Sequence, residues 1–420
     1  MKNNHARIKV WIFHPMQQHS YKTAEALVEE DLLDTYWTSI YYQPNKVIYK
    51  LLNLILDESS IKRMKNRKDV KLDPYIKTKY VILGLLFILS GKIDKTGKLS
   101  NFLQYTLARK MGKLVARKAM HEEVDIIIGY DTWSHGLIHE LKKHNSKIKI
   151  IMDYSSLYSE EIIKIIKSDI DKYGSPIESY QKTLNKYTAT YLQAFRYEKN
   201  NADYYLSPSS VVDNSLCDYG VEKDKIFRCT YGSYFKKIAF KNKHYNTVTF
   251  IYIGRMSYAK GVHYLIDAFN DIERNDCKLL LVGANTDQLT EKIINPNIIY
   301  VGLVHHDEIP RYLAKSDIVI SASLYDGFSL AILEAVAYNL PILCTKKNGA
   351  VDYVIDGKTG IAFDIQSKEQ ILSAVNFLME HKESISMMSQ NVGGILNKLT
   401  WDNYEKNVCN AVRSILNFRE

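Results

Sequence analysis

Cysteine is scarce in this chain, and the few cysteines it has are scattered. Five occur in 420 residues, with neither the paired spacing of a disulfide framework nor the spacing of a metal site. They are Cys217, Cys229, Cys277, Cys344 and Cys409. This argues against a disulfide-stabilised secreted domain and is typical of a protein in a reducing cytosol.

Long apolar runs are absent as well. The segment MKNNHARIKVWIFHPM contains an apolar strand of six residues, too short for the apolar region of a signal peptide, and it has no small-residue cleavage site, so we expect no export. The apolar stretch at 80–89 is far below the roughly 20 residues that span a bilayer. The chain also lacks an internal repeat and a low-complexity tract. With 46% hydrophobic and 25% charged residues it can bury two sizeable cores, and we expect two domains.

The most informative segment that is present is SLYDGFSLAILEAVAYNLP at 323–341. A turn at Asp326 precedes an apolar run with helical spacing, which predicts a helix beginning near Phe328. The free N–H groups and the positive dipole end of that helix suit a phosphate. Glu334 would lie about 9 Å along the axis, roughly the distance from the pyrophosphate of a nucleotide to its ribose. Taken alone, Asp326 and Glu334 are more simply an N-cap and an exposed helical charge.

Strands followed by turns and helices repeat through the second half of the chain. The strand-like run at 248–253 ends in Gly254 and Arg255, and Lys260 precedes a periodic helix. Two fixed cations at a strand-to-helix turn suit a diphosphate. Further strands are predicted at 278–283, 297–302 and 317–321. Such repeated units predict a parallel sheet that binds ligands at the C-terminal ends of its strands.

These segments resemble the retaining glycosyltransferases of the GT-B fold, specifically family 4, in which a Gly-Arg…Lys-Gly element and a Glu-x7-Glu element bind a nucleotide sugar. The matching segments are GRMSYAKG (254–261), VGLVHHDEIPRYLAKSDIVISASLYDGFSLAILEAVAYNLPIL (301–343) and GAVDYVIDGKTGIAF (349–363). The first Glu of the family is Asp326 here, one methylene shorter, and we expect it to keep the sugar contact with altered geometry. Glu334 inherits the ribose contact by position.

The resemblance implies a fold and a set of site residues. The fold is α/β, GT-B: two Rossmann-like lobes with a cleft between them and a C-terminal helix that crosses back to the first lobe. The implied catalytic residues are Arg255, Lys260 and Asp326, with Asp131 from the first half. The implied donor-binding residues are Gly254, Gly283, Val304, Gly327, Phe328, Ser329, Leu330 and Glu334.

The first half supplies the expected acceptor side. A strand at 8–13 leads into a loop that contains His14 and Gln17, our acceptor-side candidates; most family members carry glycines in this loop, and this chain has none. Strands at 125–129 and 148–152 also lead into polar residues. Family members often place a His after the first of these, where it contacts the donor sugar. Asp131 is the better-aligned candidate for that position, and His135 is the second. We also count His135 among the acceptor-side candidates.

The pattern divides the chain into two domains. Residues 1–240, with the last helix at about 400–420, are expected to form the N-terminal acceptor-side domain. Residues 241–399 are expected to form the C-terminal nucleotide-sugar-binding domain. The boundary is placed near 238–247, where Lys, Asn and His interrupt the apolar pattern.

Two patterns imitate metal sites. Asp169-Ile-Asp171 has the Asp-x-Asp form found in a different glycosyltransferase fold, but no strand precedes it, and we expect both carboxylates on the surface. His135 and His139 have the spacing of a zinc helix, but Gly136 stands where the catalytic Glu of that motif would be. We therefore predict no metal site and no cofactor other than the donor itself.

The predicted reaction follows from charge. Breaking a sugar–phosphate bond leaves negative charge on the diphosphate, which Arg255, Lys260 and helix N–H groups would stabilise without a metal. The resemblance implies transfer with retention by front-face attack, most simply in bacterial cell-surface polysaccharide synthesis. The donor is a UDP- or GDP-sugar, and the acceptor is a glycan or lipid-linked hydroxyl. A non-catalytic nucleotide-sugar-binding or membrane-docking subunit with the same fold is the alternative.

Residues 41–120 are expected to be a basic insertion outside the common core of the family. Between Lys62 and Lys118 there are 16 Lys or Arg and 3 acidic residues, a net charge of +13 against +9 for the whole chain. The apolar stretch within it predicts either a buried helix or a membrane-facing one. Basic residues beside apolar ones suit an anionic lipid surface, and no nucleic-acid-binding module is evident. We predict a cytoplasmic protein, peripheral on the inner face of the membrane; a solvated basic face is the alternative.

Overall fold

The computed structural model describes residues 8–55, 58–173, 178–239 and 246–417. Within these ranges the chain forms two β-sheets. The strands of the first are β1 (Val10–Phe13), β2 (Leu33–Thr38), β3 (Ile76–Thr78), β4 (Ile126–Tyr130), β5 (Lys149–Asp153), β6 (Tyr204–Ser207) and β7 (Ile226–Arg228). Those of the second are β8 (Val248–Ile253), β9 (Cys277–Val282), β10 (Ile298–Gly302), β11 (Ile318–Ser321), β12 (Ile342–Thr345) and β13 (Gly360–Phe363).

Both sheets are parallel throughout and have a doubly wound strand order. The first has the order β3-β2-β1-β4-β5-β6-β7, and the second has the order β10-β9-β8-β11-β12-β13. In each sheet the first strand of the lobe lies near the centre, and the chain winds outward from it in both directions. The ligand crevice of such a sheet lies beyond the carboxyl ends of the central strands, where the winding direction changes.

Helices cover the faces of the sheets. The helices of the first half are α1 (Ser20–Glu29), α2 (Val47–Ile55), α3 (Glu58–Lys65), α4 (Val81–Ile93), α5 (Lys98–His121), α6 (His135–Lys143), α7 (Ser159–Tyr173), α8 (Glu178–Lys186), α9 (Ala189–Asn201) and α10 (Ser210–Asp218). Those of the second half are α11 (Val262–Asn270), α12 (Ile309–Leu313), α13 (Leu330–Val336), α14 (Lys368–Glu380), α15 (Lys382–Val392) and α16 (Trp401–Asn417).

The central strands are short, apolar and buried on both sides. All four residues of β1, Val-Trp-Ile-Phe, have no exposed surface, and β4 is buried along its whole length. Because helices cover both faces of a parallel sheet, these strands lose the alternation of polar and apolar residues. This explains why continuous apolar runs predicted β1, β4, β5 and β8 within two residues at each end. It also explains why β3, a three-residue edge strand with Lys77 at its centre, gave no such signal.

The last helix returns to the first lobe, as predicted. Tyr404 of α16 and Thr23 of α1 are joined by a hydrogen bond of 2.8 Å between their hydroxyl oxygens. The thiol of Cys409 donates to the carbonyl oxygen of Ala26 at 3.4 Å, and the two helices pack along their length. The predicted boundary at 240–241 lies outside the described residues.

A buried carboxylate joins the α7–α8 segment to the second lobe. Asp169 has no exposed surface and accepts hydrogen bonds from the hydroxyls of Tyr180, at 2.7 Å, and of Tyr264 on α11, at 2.6 Å. The ring of His263 lies 3.4 Å away. Burial alone raises the pKa of Asp169, but the contacts with His263, Tyr264 and Tyr180 outweigh it and lower the pKa below its ordinary value. The expectation of a surface position was wrong for Asp169, because protein donors replace water around it.

The basic segment contributes to the core of the first lobe. Strand β3 pairs with β2, and α5 packs closely on α6 with Leu107, Met111 and Val115 buried between them. The apolar stretch forms α4, which packs one side on this core, as expected of a buried helix, and exposes the other side. No helix in the described ranges is long and apolar enough to cross a bilayer.

Candidate functional site

An ion pair lies at the carboxyl ends of the central strands of the second sheet. The ammonium nitrogen of Lys260, in the loop after β8, is 2.7 Å from a carboxylate oxygen of Asp326, in the loop after β11. The backbone of Asp326 is fixed by the loop after β12, because its N–H donates to the carbonyl of Lys347 and its carbonyl accepts from Gly349. The two predicted residues therefore meet in one place, although 66 residues separate them.

Two glycines allow the backbone to approach closely here. Gly261 has a φ of 64°, in the left-handed region, and a Cβ at this position would overlap the carbonyl of Ala322. A Cβ on Gly327 would overlap the carbonyl of Ser155 in the first lobe, and the hydroxyl of Ser209 donates to the carbonyl of Gly327 at 2.6 Å. The loop that carries Asp326 is thus pressed against the strand ends of the first sheet.

Glu334 lies on α13, but this helix begins two residues later than predicted. It starts at Leu330, so Glu334 lies about 6 Å along the axis from its first residue at 1.5 Å per residue. The Glu334 side chain is buried except for a few per cent of its surface. One of its carboxylate oxygens is 2.9 Å from the Nε2 atom of His306, whose ring packs beside Phe235 at 5.2 Å between centroids. The carboxylate of Glu334 therefore faces the loop after β10, which carries His306.

Arg255 extends into solvent at the same edge. Its backbone carbonyl accepts a hydrogen bond of 2.7 Å from Tyr252, and within the described part of the chain its guanidinium forms no ion pair. Burial raises the pKa of the neighbouring Tyr325 to about 12, against the lowering effect of Arg255. Arg255 is thus the cation at this edge that no carboxylate neutralises among the described residues.

The remaining predicted donor residues occupy different environments. Gly254 and Gly283 lie against each other where β8 and β9 end, and Val304 is partly buried in the loop after β10. Ser329 and Leu330 are partly exposed at the start of α13. Phe328 is buried and packs edge-on against Tyr231 and Tyr353, so its ring fixes the loop that carries Asp326 in position.

Asp131 lies at the strand ends of the first sheet, directly after β4. Its backbone N–H donates to the carbonyl of Asp153, and one of its carboxylate oxygens is buried without a hydrogen-bond partner. Burial raises the pKa of Asp131 to about 7; Lys186 lowers it, and Glu198 and Asp153 raise it further. Burial in turn lowers the pKa of the Lys186 ammonium group.

His14 does not reach the cleft. Its ring has no exposed surface, packs on Tyr130 at 4.6 Å, and accepts a hydrogen bond from the backbone of Met16. Burial lowers the pKa of His14 to about 3, so the ring is neutral. Gln17, in the same loop, is partly exposed. His135 begins α6, where its ring stacks on Tyr105 of α5 at 4.5 Å.

His19 was not singled out in the sequence analysis. It is the histidine of this loop that lies beside the strand ends of the first sheet. Its Nε2 atom is 2.7 Å from a carboxylate oxygen of Asp153 at the end of β5. Its ring also contacts Tyr231 at 4.6 Å between centroids, and Tyr231 contacts Phe328 of the second lobe. The strand-end residues of the two sheets therefore converge around Tyr231.

Three further charged residues were given no role in the sequence analysis, and their signals differ. Asp153 follows an apolar strand, and that position could have identified it. Glu198 is fully buried and accepts from the backbone N–H groups of Thr132, Ser134 and His135, but it lies on α9, with no strand before it. Lys186, on α8, carries no local signal either.

The described part of the chain contains no cluster of three or more His, Cys, Asp or Glu side chains placed to hold a metal ion. The spacing of His135 and His139 on one helix is thus not completed by a third ligand among the residues that the structure places.

Comparisons with known proteins identify proteins that are similar to this chain in sequence. The family model of glycosyl transferases group 1 matches residues 235–393. An uncharacterized 41.2 kDa protein in the cps region of Klebsiella pneumoniae is 23% identical over 248 residues, which cover 57% of this chain and 66% of that protein. The lipopolysaccharide 1,2-N-acetylglucosaminetransferase of Salmonella typhimurium is 26% identical over 170 residues, 36% of this chain and 45% of that protein. The chain thus matches less than two thirds of the length of either relative.

The likeness among solved structures covers nearly the whole chain. The structure of Anabaena HepE in complex with UDP and glucose superposes on 97% of this chain and on all of its own, with a TM-score of 0.60 at 14% identity. At this level of identity the likeness concerns the fold alone. Together with the two parallel sheets and the returning helix, it confirms the predicted GT-B fold.

Proposed function

We propose, on the premise that residues 235–393 form a glycosyl transferases group 1 domain, that this chain is a retaining, metal-independent hexosyltransferase of the family-4 type. It would move a sugar from a nucleoside-diphosphate sugar to a hydroxyl of a glycan or lipid-linked acceptor, in bacterial cell-surface polysaccharide synthesis. The observation that carries the proposal is the convergence of Arg255, Lys260, Asp326 and Glu334 at one sheet edge that faces the other lobe. The Salmonella relative and the UDP complex of HepE support it.

The diphosphate would lie between Arg255 and Lys260. Lys260 is held 2.7 Å from Asp326, so its ammonium group is fixed in position before a donor arrives. An anion placed beside it would share this cation with the carboxylate, and Arg255 would supply a second cation. Charge that develops on the leaving diphosphate would then be stabilised by groups that need little rearrangement.

The sugar and the ribose would contact the two carboxylates of the segment. Asp326, next to the diphosphate cation, is placed to accept hydrogen bonds from sugar hydroxyls. Glu334 is placed to accept from ribose hydroxyls, and His306, now 2.9 Å from it, would move aside or share the contact. The ring of His306 and that of Phe235 lie where the base would follow the ribose.

Asp131 would act across the cleft. With a pKa raised by burial to about 7, its carboxyl group exists in both protonation states near neutrality and can accept from a sugar hydroxyl or donate to it. Among the described residues of the donor edge, we assign none as a nucleophile. We therefore propose front-face attack, in which the acceptor hydroxyl forms the new bond to the anomeric carbon on the side that the phosphate leaves. The departing phosphate oxygen would take the proton of that hydroxyl.

We propose further that the first lobe meets the inner face of the membrane. Ile82, Leu86, Leu89 and Ile93 of α4 recur every three or four residues and form one stripe, 47–74% exposed. Leu99 and Phe102 of α5 are exposed as well. These residues lie within the segment of net charge +13, which suits anionic headgroups around apolar side chains.

Nucleotide binding and turnover test the enzymatic proposal. A thermal-shift screen of nucleoside diphosphates and nucleotide sugars should find one that raises Tm, because a ligand of the native state stabilises it according to its concentration over its Kd. The same nucleotide sugar should then release its nucleoside diphosphate on incubation with the protein and an acceptor. Binding without release would favour the non-catalytic subunit instead.

Vesicle co-sedimentation tests the membrane proposal. We expect binding to anionic vesicles that weakens as salt rises, since the Debye length falls from about 10 Å at 0.1 M to about 3 Å at 1 M. Ile82→Ser with Leu86→Ser should reduce binding, and Ile294→Ser, at a still more exposed residue of the second lobe, should not. Equal pelleting on neutral vesicles, or none on anionic ones, would leave the basic segment as a solvated face.

A further inference from the structure

A second pocket lies in the first lobe, away from the strand-end site. It is a space of about 410 Å³ between α5, α6 and α9, and its walls are helix side chains. Tyr105 and Tyr197 line it, together with several charged residues. None of the donor-binding residues of the second lobe lines it, and His135, the second candidate for the donor-sugar contact, lies in its wall instead. Its volume is within the range of sites that bind small molecules.

The pocket carries an excess of positive charge. Arg109 and Lys113 of α5 and Lys143 of α6 line it, and none of the three forms an ion pair among the residues that the structure describes. The acid in its wall, Glu140, is 2.7 Å from the guanidinium of Arg117 and 3.5 Å from His144. Burial raises the pKa of Glu140, but the charges of Arg117 and Lys113 outweigh it and lower that pKa below its ordinary value. Lys113 is thus partly engaged by Glu140, whereas Arg109 and Lys143 remain available to an anion.

A buried histidine in the wall of the pocket has ring nitrogens without hydrogen-bond partners. His135 is 7% exposed, and both of its ring nitrogens are buried without a hydrogen-bond partner. Its Nδ1 atom lies 3.8 Å from Glu198, too far for a hydrogen bond, because that carboxylate accepts from the backbone N–H groups around the start of α6. An unpaired buried ring of this kind is stabilised by a partner that enters the pocket.

These features favour one ligand chemistry over others. Arg109 offers a planar fork of donors that matches a phosphate or carboxylate, and two lysines add point charges. A phosphate ester uses several cations at once, and Tyr105 and Tyr197 offer flat surfaces to the ring of a sugar. We propose that this pocket binds a phosphate monoester at Arg109, Lys113, Lys143 and His135, in a site separate from that of the nucleotide sugar.

Titration calorimetry with inorganic phosphate and with glucose 6-phosphate tests the proposal. Both should bind the full-length protein, the sugar phosphate more tightly, and Arg109→Gln and Lys113→Gln should each weaken binding at least tenfold. Lys110→Gln removes the same charge from the next residue of α5, which lines an apolar groove instead, and should change Kd less than twofold. Arg109 and Lys113 are exposed, so these variants should fold, which Tm would verify.

Two competitors define the site and the source of the phosphate. A saturating nucleoside diphosphate should leave the binding of glucose 6-phosphate unchanged if the sites are separate. Vesicles of phosphatidic acid should compete only if the phosphate belongs to a lipid, whereas a soluble phosphate ester requires no such competition. The proposal is overturned by absence of binding at 10 mM ligand, by equal losses in Lys110→Gln and Arg109→Gln, or by displacement with the nucleoside diphosphate.

Discussion

The two lobes present polar side chains at the same end of similar sheets but hold them in different ways. In the second lobe, Lys260 and Asp326 are partly exposed and pair with each other across two loops. In the first lobe, Asp153 and Glu198 are buried and satisfied by neighbouring groups, and Asp131 is partly buried with a raised pKa. The second lobe thus offers accessible, paired charge to a charged ligand. The first lobe offers a fixed polar surface, which suits an acceptor without a formal charge at the reacting hydroxyl.

The largest effect on activity is expected when a cation of the second lobe is removed. Lys260→Ala or Arg255→Ala should lower kcat/KM for donor turnover by about 10²-fold or more, because each removes charge stabilisation that develops in the transition state. Steady-state kinetics with the nucleotide sugar found in the screen would measure it. Lys315→Ala, which removes an exposed lysine of the same lobe, is the matched control. Near-wild-type kcat/KM in both Lys260→Ala and Arg255→Ala would contradict the assignment of these two residues to the diphosphate.

A smaller effect is expected from the first lobe, and it depends on pH. Burial raises the pKa of Asp131 to about 7, so if the ionised carboxylate is the active form, kcat should rise as pH passes through 7. Asp131→Asn should lower kcat about tenfold, equivalent to one hydrogen bond of about 1.4 kcal/mol, and should remove this inflection. His14→Asn should keep the inflection, because burial lowers the pKa of His14 to about 3.

The stability of the same variant provides a check that does not depend on activity. The folded pKa of Asp131 exceeds that of an unfolded Asp, about 3.9, so its linked stabilisation is complete below that value and is lost as pH rises through 7. The Tm of Asp131→Asn relative to wild type should therefore increase between pH 6 and pH 8. A constant difference in Tm across this range would show that Asp131 does not titrate there.

Within the second lobe, the two carboxylates should separate nucleotide binding from sugar binding. Glu334→Gln should weaken the binding of free nucleoside diphosphate about fivefold, a loss of about 1 kcal/mol in hydrogen bonding to the ribose. Asp326→Asn should leave that Kd nearly unchanged and reduce the additional affinity that the sugar provides. Calorimetry with the nucleoside diphosphate and with the nucleotide sugar distinguishes them. Equal losses in both variants would mean that the roles are not divided in this way.

The smallest effect should come from metal removal. Because cationic side chains supply the charge at the proposed diphosphate site, EDTA should change the transfer rate by less than about twofold. Initial rates before and after dialysis against EDTA, with and without added Mn²⁺, measure this. Turnover that EDTA abolishes and Mn²⁺ restores would place a metal at the diphosphate.

How far the sequence predicted the molecule depends on the distance along the chain over which each signal extends. Arg255, Lys260, Asp326 and Glu334 lie in short segments whose loops follow apolar strands, so their placement at one sheet edge could be predicted without tertiary information. The start of α13 was placed two residues too early, because the turn residues before it are compatible with either start. The strands of the sheet centres were equally accessible, since burial on both faces leaves a continuous apolar run.

Side chains whose environment comes from distant residues could not be placed. His14 and His19 lie in one loop, and only the packing of Tyr130 over the first and of Asp153 beside the second distinguishes them. Asp169 resembles a surface residue in its own helix, and it is buried because Tyr264, 95 residues further on, donates to it. For these residues the local sequence does not reveal the partner that determines the role of the side chain, because only the fold brings that partner into contact.

The anomeric configuration of the product tests the central claim most directly. Proton NMR of the transferred sugar, made by the wild-type protein from the nucleotide sugar that it binds, gives the coupling constant of the anomeric proton, which reports the configuration. We expect the same configuration in product and donor. Wild type and Lys315→Ala should form this product, and Lys260→Ala should form almost none. An inverted configuration, or no transfer from any nucleotide sugar that the protein binds, would contradict it.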